Sequence, residues 1–310
     1  MNINHILIVS PMFEEIRAII EQQNIQKQFR YVNEEQLTAD DLEWADALAC
    51  FNLQSNVDYS QVKWVHSLGA GVDRFLFGKQ WNEQVLLTRT ICSFGQRIGE
   101  YCLSYIVKDL QYHDTFQMAQ HQKRWTPMTP KLLGSQKVMI YGTGEIGQKT
   151  AQILSSLGMD VYGVSLTGKS KDYFKEVMTI DHHFSRLSEM DYIINTLPLT
   201  EQTKGLFSKS IFSHVSEVGF INVGRGATVD EQALLNGLNE GHIRFAVLDV
   251  FEKEPLPEEN PLWSHPNVQI TPHISAVTTP DEGVECFLET LKNVEEDKPL
   301  VNRVDPVKGY

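Results

Sequence analysis

The residues best suited to chemistry begin at Gly142. The run Gly142-Thr143-Gly144-Glu145-Ile146-Gly147 follows an apolar strand pattern, Lys137–Tyr141, and opens a helical pattern with Ile146, Ile153, Leu154 and Leu157 on one face. Gly158 is placed to stop that helix. Between a strand and a helix, each glycine has a task. The first permits a tight turn, the second lets backbone approach a pyrophosphate, and the third lets helix and strand pack closely. The helix N-terminus adds unpaired N–H groups and a positive dipole end. The context predicts a dinucleotide site, against the plainer alternative of a glycine-rich turn in a ligand-free unit.

A second strand pattern, Asp160–Val164, shows which dinucleotide would fit. An NAD site usually ends that strand in Asp or Glu, which binds the ribose 2′-OH. Here Ser165-Leu166-Thr167-Gly168-Lys169-Ser170-Lys171 follows, with no carboxylate. Ser165, Thr167 and Ser170 offer hydroxyls, and Lys169 and Lys171 offer charge. This predicts NADP (as NADPH) in preference to NAD. The alternative is a solvated lysine loop and an enzyme that accepts NAD.

Elements that position these residues recur along the chain. Ile6–Val9, Ala47–Phe51, Val85–Thr88, Val138–Tyr141, Val161–Val164, Tyr192–Asn195, Gly219–Val223 and Phe245–Leu248 read as strands, and Val268–Thr271 as another. Continuous apolar strands between helical segments imply parallel sheets covered on both faces. The expected fold class is therefore α/β, with two Rossmann-like or flavodoxin-like parallel-sheet domains. Gly99–Asp114 reads as a helix, and the polar stretch His113–Gly134, with Trp125, as a crossing between domains. Thr279-Pro280-Asp281-Glu282 is a helix start with a capping box. The helix after it, to about Val294, is expected to return to the first domain. Two crossings would leave a cleft between the domains, a common place for a ligand.

Composition narrows the classes. The 310 residues are 42% hydrophobic and 22% charged, which is ordinary for a globular chain and long enough for roughly two domains. Lys+Arg number 27 against 40 Asp+Glu, a net charge of −13, which disfavours nucleic acid as a partner. No apolar run approaches the roughly 20 residues of a membrane helix, so no membrane association is expected. MNINHILIVS lacks a basic n-region, and the four cysteines form no CxxC pair. A cytoplasmic location is the expectation. No metal is expected, since His182-His183 lacks helical spacing and a third ligand.

Three further segments carry a resemblance. They are Asn222-Val223-Gly224-Arg225-Gly226-Ala227-Thr228-Val229-Asp230, the stretch from Leu248-Asp249 to Glu254-Pro255-Leu256, and Thr271-Pro272-His273-Ile274-Ser275. In this order after the glycine loop, they resemble the D-isomer-specific 2-hydroxyacid dehydrogenase family over nearly the whole chain. Gly69-Ala70-Gly71-Val72-Asp73, Glu100-Tyr101 and Leu197–Thr200 extend the likeness. Within the family, the Leu68–Asp73 loop, Trp125, Leu262-Trp263 and Gly309-Tyr310 look most like the glyoxylate/hydroxypyruvate reductase A type.

The resemblance implies a role for each matching residue. Residues 1–98 with 276–310 would form the substrate-binding domain, and 99–275 the dinucleotide-binding domain. Arg225 would hold the substrate carboxylate and polarise its carbonyl, a task suited to a guanidinium fork. His273 would be the general acid of reduction, with Glu254 on its other ring nitrogen. Glu252 competes for that pairing. Asp249 would bind the nicotinamide carboxamide, and Leu197, Pro198, Thr203, Val223 and His273 would complete the cofactor contacts. Backbone N–H groups around Ala70 and Gly71 would also bind the substrate carboxylate. Phe51, Asn52, Leu53 and Arg89 are candidates for setting pocket size.

The implied activity is NAD(P)H-dependent reduction of small 2-keto acids to D-2-hydroxy acids by a homodimer. A bulkier 2-keto acid is the alternative substrate, and a dinucleotide-sensing co-regulator is the alternative outside the enzymes. Trp125 is open between interdomain packing and the pocket of a neighbouring subunit.

Overall fold

The computed structural model describes residues 1–51, 53 and 57–310. In chain order the first elements are β1 (His5–Val9), α1 (Phe13–Glu21), β2 (Gln28–Val32), α2 (Ala39–Trp44), β3 (Ala47–Cys50), β4 (Trp64–Ser67), α3 (Asp73–Leu76) and β5 (Leu86–Arg89). Then come α4 (Phe94–Leu110), α5 (His113–His121), β6 (Lys137–Tyr141), α6 (Glu145–Ser156), β7 (Asp160–Val164), β8 (Glu176–Met178), α7 (Phe184–Leu187) and β9 (Tyr192–Asn195). The last are α8 (Lys209–Phe212), β10 (Val218–Asn222), α9 (Glu231–Asn239), β11 (Ile243–Leu248), β12 (Val268–Ile270) and α10 (Pro280–Glu295). None of the described helices is long and apolar enough to cross a membrane.

The chain divides into two compact units, one of residues Met1–Phe94 with Val277–Tyr310 and one of Gly95–Ala276. The first contains a parallel sheet in the order β2-β1-β3-β4-β5, a flavodoxin-like arrangement. Its central strands are buried along their full length because helices cover both faces. Trp64 of β4 stacks on Phe287 of α10, with ring centroids 5.1 Å apart. The α10 helix opens with the capping box of Thr279 and Glu282.

The second unit contains a parallel sheet in the order β12-β11-β10-β9-β6-β7-β8. Strand order reverses at the β6–β9 pair, the doubly wound pattern that opens a crevice at the carboxyl ends of those strands. One core cluster lies around Phe207, Phe212 and Phe220 on one face, and another around Ile140, Ile194 and Val247 on the other.

The first unit boundary differs by four residues from the sequence expectation (98/99 against 94/95). The cause is the packing of α4, which starts at Phe94. A Cβ on Gly95 would stand 2.7 Å from Lys149 Cβ, and one on Gly99 would stand 2.4 Å from Ile153 Cδ1, so its first turns already lie against α6. The stretch 113–134 is not a crossing. It lies inside the second unit and begins with α5, none of whose residues is buried.

Three strands escaped the sequence reading. β2 is a half-exposed edge strand of mixed polarity, and β8 is a three-residue edge strand. β4 is central yet contains His66 and Ser67.

His66 is fully buried and hydrogen-bonded to Thr88 and Thr90. Burial disfavours its charged form and pushes its pKa from 6.5 down to about 3. The unfolded chain therefore takes up a proton below pH 6.5 that the folded chain refuses. The neutral ring's contribution is complete above pH 6.5 and is lost as the pH falls toward 3. Denaturant unfolding at pH 7 and pH 5 should show this loss, up to roughly 1.4 kcal/mol per pH unit. His66→Phe should flatten that part of the dependence, and an unchanged slope in the variant would count against it.

Candidate active site

The second unit brings its loops together at the carboxyl ends of β6, β9, β10, β11 and β12. After β6, Gly142 adopts φ +97° and Gly144 caps α6 without any side-chain hydrogen bond. A Cβ on Gly147 would lie 1.8 Å from the Gly142 carbonyl oxygen, so only glycine permits this strand–helix approach. A Cβ on Gly144 would meet nothing within 4 Å, which leaves open space beside the helix N-terminus. Such a terminus and open backbone fit a pyrophosphate. Thr143 and Gly147 are buried, Ile146 is half-buried, and Gly144 and Glu145 are exposed.

After β7, the Gly168 N–H donates to Ser165 Oγ at 3.1 Å, with Gly168 at φ +62°. That turn leaves Thr167, Lys169 and Lys171 on the surface. The exposed cations fit an added phosphate. After β9, Thr203 Oγ1 donates to Pro198 O at 2.7 Å, which closes the turn that carries Leu197 and Pro198.

Two close approaches fix the loop after β10. A Cβ on Gly224 would stand 2.7 Å from Leu197 O, and one on Gly226 only 1.8 Å from the Phe251 carbonyl carbon. Arg225 lies between them, half-buried, with Nη1 donating to Gly224 O at 2.7 Å. Beneath it, Asn195 Nδ2 donates to Asn222 Oδ1 at 2.8 Å and to Thr228 Oγ1 at 2.7 Å, both buried. Asn195 was named in the sequence only as a strand end. Only its pairing across β9 and β10 reveals a loop-tying role.

His273 Nδ1 donates to Glu254 Oε2 at 2.8 Å. A carboxylate only accepts, so the Nδ1 atom carries a proton and Nε2 is the nitrogen left for exchange. Glu254 Oε1 accepts the Phe251 N–H at 2.9 Å. Burial raises the Glu254 pKa, but the bonds from His273 and Phe251 and the nearby charges of His273 and Arg225 outweigh it. The carboxyl is held below its usual range. Glu252 stays exposed, so Glu254 is the residue that meets the imidazole.

His273 itself has φ +55°, a left-handed conformation unusual for a residue with a Cβ. Asp249 supports it. Its Oδ1 accepts from Thr271 Oγ1 at 2.6 Å and from the Ile274 N–H at 2.8 Å, and its Oδ2 accepts from the Ser275 N–H at 2.9 Å. The His273 N–H donates to Asp249 O at 2.9 Å. Asp249 is 1% exposed. The carboxylate lies below the surface, bonded to the loop that carries His273. Tyr101 joins the same group. The Thr271 proton goes to Asp249, so Tyr101 Oη donates to Thr271 Oγ1 at 2.6 Å.

In the first unit, Ala70 and Gly71 lie in the turn between β4 and α3, both half-buried. Leu53 is a core residue at 7% exposure and Phe51 lies near Gly69, whose added Cβ would be 3.7 Å from Phe51 Cδ1. Arg89 ends β5, and Asn52 lies outside the described residues.

Residues 103–275 match the model of the D-isomer specific 2-hydroxyacid dehydrogenase NAD binding domain. The chain belongs to the D-isomer specific 2-hydroxyacid dehydrogenase family. It is 32% identical to glyoxylate/hydroxypyruvate reductase A of Serratia proteamaculans over 257 residues, covering 81% of this chain and 82% of that one. The counterpart from Salmonella newport is 33% identical over 258 residues, with 81% and 82% covered. A D-isomer specific 2-hydroxyacid dehydrogenase from Xanthobacter autotrophicus, solved with NADPH and MES, superposes with a TM-score of 0.89 at 28% identity over both whole chains. The NADPH-dependent glyoxylate/hydroxypyruvate reductase of Sinorhizobium meliloti, solved with NADP and sulfate, gives 0.88 at 27% identity, covering 99% of this chain and 100% of that one.

As a member of this family the chain is an NAD(P)-dependent oxidoreductase. In this dehydrogenase, Thr271→Val should leave both Tyr101 Oη and Asp249 Oδ1 short of a partner. A loss of about 1–3 kcal/mol of stability is expected. Denaturant unfolding checks it, and a neutral variant would show that the chain from Tyr101 to Asp249 holds nothing.

Proposed function

We propose that the enzyme reduces small 2-keto acids of the glyoxylate and hydroxypyruvate kind to D-2-hydroxy acids, with NADPH preferred. The observation that carries this reading is the His273–Glu254 bond at 2.8 Å beside the charge of Arg225. An acid–base group and a cation in one site suit an anion whose carbonyl must gain a proton. The names of the relatives above supply the substrate class.

Arg225 holds the substrate carboxylate through its guanidinium fork and draws electron density from the neighbouring carbonyl. The glycine loop from Gly142 to Gly147 holds the pyrophosphate. Ser165, Thr167 and Lys169 receive the 2′-phosphate, and Leu197, Pro198, Thr203 and Val223 border the rest of the cofactor. The chemistry that the dinucleotide supplies when bound is donation of a hydride to the keto carbon. His273 Nε2 gives its proton to the oxygen as the carbonyl π bond becomes a C–O single bond. Glu254 stabilises the imidazolium before transfer and keeps the Nδ1 proton in place after it. Ala70 and Gly71 provide N–H groups for the same carboxylate. In the oxidative direction His273 is the base.

Steady-state oxidation of NADPH and NADH against glyoxylate, hydroxypyruvate, pyruvate, phenylpyruvate and 2-ketoisocaproate tests the reading. Activity should favour NADPH and be confined to glyoxylate and hydroxypyruvate. His273→Ala and Arg225→Ala should each lower kcat/KM at least about 100-fold. A bulky favourite would move the substrate class, and an NADH preference would remove the role of Lys169.

We further propose a homodimer through the segment 113–132. Trp125 is 97% exposed, Leu132 78% and Met118 61%, so apolar side chains here lack cover. This exposure favours the pocket of a neighbouring subunit as the place of Trp125. Gel filtration should give a mass near twice 35.3 kDa. A monomer mass would overturn it.

A further inference from the structure

The buried face of β4 contains an unbroken run of polar groups that the mechanism above does not use. Trp64, His66, Thr88 and Thr90 are all fully buried, and Ser67 is 1% exposed. Trp64 Nε1 lies 2.8 Å from Thr88 Oγ1, which lies 2.8 Å from His66 Nδ1. His66 Nε2 lies 3.2 Å from Thr90 Oγ1, which lies 3.0 Å from the Ser67 carbonyl oxygen.

Both ends of this run have a fixed polarity. An indole N–H can only donate, and a carbonyl oxygen can only accept. With the Thr90 hydroxyl proton on Ser67 O, Thr90 Oγ1 is left to accept from His66. The His66 Nε2 atom is thus the protonated one. At the other end Thr88 Oγ1 accepts from Trp64 and gives its own proton to His66 Nδ1. Each threonine accepts once and donates once, and one neutral tautomer of His66 satisfies every group. With the opposite tautomer Thr88 Oγ1 would accept from both Trp64 and His66, its own proton would have no partner in this run, and the Thr90 proton would have to turn from Ser67 O to Nε2. A buried donor left without a partner costs more than a normal hydrogen bond returns.

The run ends where the chain turns. Thr90 also donates its backbone N–H to Ser67 O at 2.8 Å, so both donors of one residue grip that carbonyl. Ser67 Oγ then reaches forward. It lies 3.0 Å from Gly69 O and 3.0 Å from Gly71 O, and it accepts the Gly69 N–H at 3.3 Å. Among the described residues, the N–H groups of Ala70 and Gly71 have no hydrogen-bond partner. The turn is held from beneath through Ser67, while two adjacent donors stay available.

We infer that His66 is a positioning residue for substrate: as the neutral Nε2–H tautomer it locks Ser67, and through it the turn whose Ala70 and Gly71 N–H groups bind the 2-keto acid carboxylate. The inference rests on the proposed function for its ligand. The hydrogen-bond direction stands independently of it.

Two measurements decide the matter. Long-range proton–nitrogen correlation spectra of the enzyme labelled with 15N-histidine report the His66 tautomer directly. The Nε2–H pattern at pH 7 is expected, and an Nδ1–H or doubly protonated ring would overturn the inference. Steady-state kinetics of Thr90→Val, a shape-conserving variant that removes both bonds of the Thr90 hydroxyl and keeps its N–H on Ser67 O, and of His66→Phe then test positioning. The KM for the 2-keto acid should rise roughly three- to tenfold, with kcat and the KM for NADPH within about twofold of wild type. An unchanged keto-acid KM in folded Thr90→Val would reduce His66 to a core residue and overturn the inference. So would equal losses in kcat and in NADPH binding. Should His66→Phe fail to fold, Thr90→Val carries the kinetic test by itself. A wild-type enzyme that oxidises NADPH with none of the keto acids would overturn the functional reading and the substrate role of the turn together. The tautomer spectrum would still show whether the relay exists.

Discussion

The loop that carries His273 in this dehydrogenase depends on one buried carboxylate. His273 has a left-handed backbone, which costs about 1–2 kcal/mol for a residue with a Cβ. Asp249 offsets that cost by binding the residues on either side of it. Thr271, Ile274 and Ser275 all donate to its two oxygens, and its backbone carbonyl takes the His273 N–H. A charged acceptor gives stronger hydrogen bonds than a neutral one, and more so away from water. The imidazole direction is therefore set by the loop before Glu254 adds its bond to Nδ1.

The other loops are fixed by exclusion. Gly147 against Gly142, Gly224 against Leu197, and Gly226 against Phe251 are approaches too close for any Cβ. They compress the ends of β6, β9, β10 and β11 into one region and leave Arg225 beside Glu254. The parallel sheet makes this possible, because all its strands end on the same edge and the order reverses between β6 and β9. The turn after β4 in the first unit follows a different logic. Its shape comes from a relay of neutral hydrogen bonds inside the core, not from steric contact.

Much of this was legible in the residues alone. The glycine loop between a strand and a helix and the capping box at Thr279 depend on local spacing, and local geometry is what sequence encodes most directly; the grouping of Arg225, Glu254 and His273 came instead from the resemblance of ordered motifs. β2 and β8 were not legible because edge strands need no apolar run. β4 was not legible because His66 and Ser67 read as polar until Thr88 and Thr90, on and just after the neighbouring strand, satisfy them.

The sequence by itself determined the fold class and the cofactor loop, and through its ordered motifs offered the residues of the proposed catalytic set, since these follow from periodicity, glycine positions and motif order. Only the tertiary structure decided that Asp249 faces inward, that Glu254 rather than Glu252 meets His273, that residues 113–132 stay within the second unit, and that His66 has one tautomer. Each of these depends on which distant groups share a hydrogen bond or a contact. Burial and donor direction arise only when strands far apart in the chain are brought side by side.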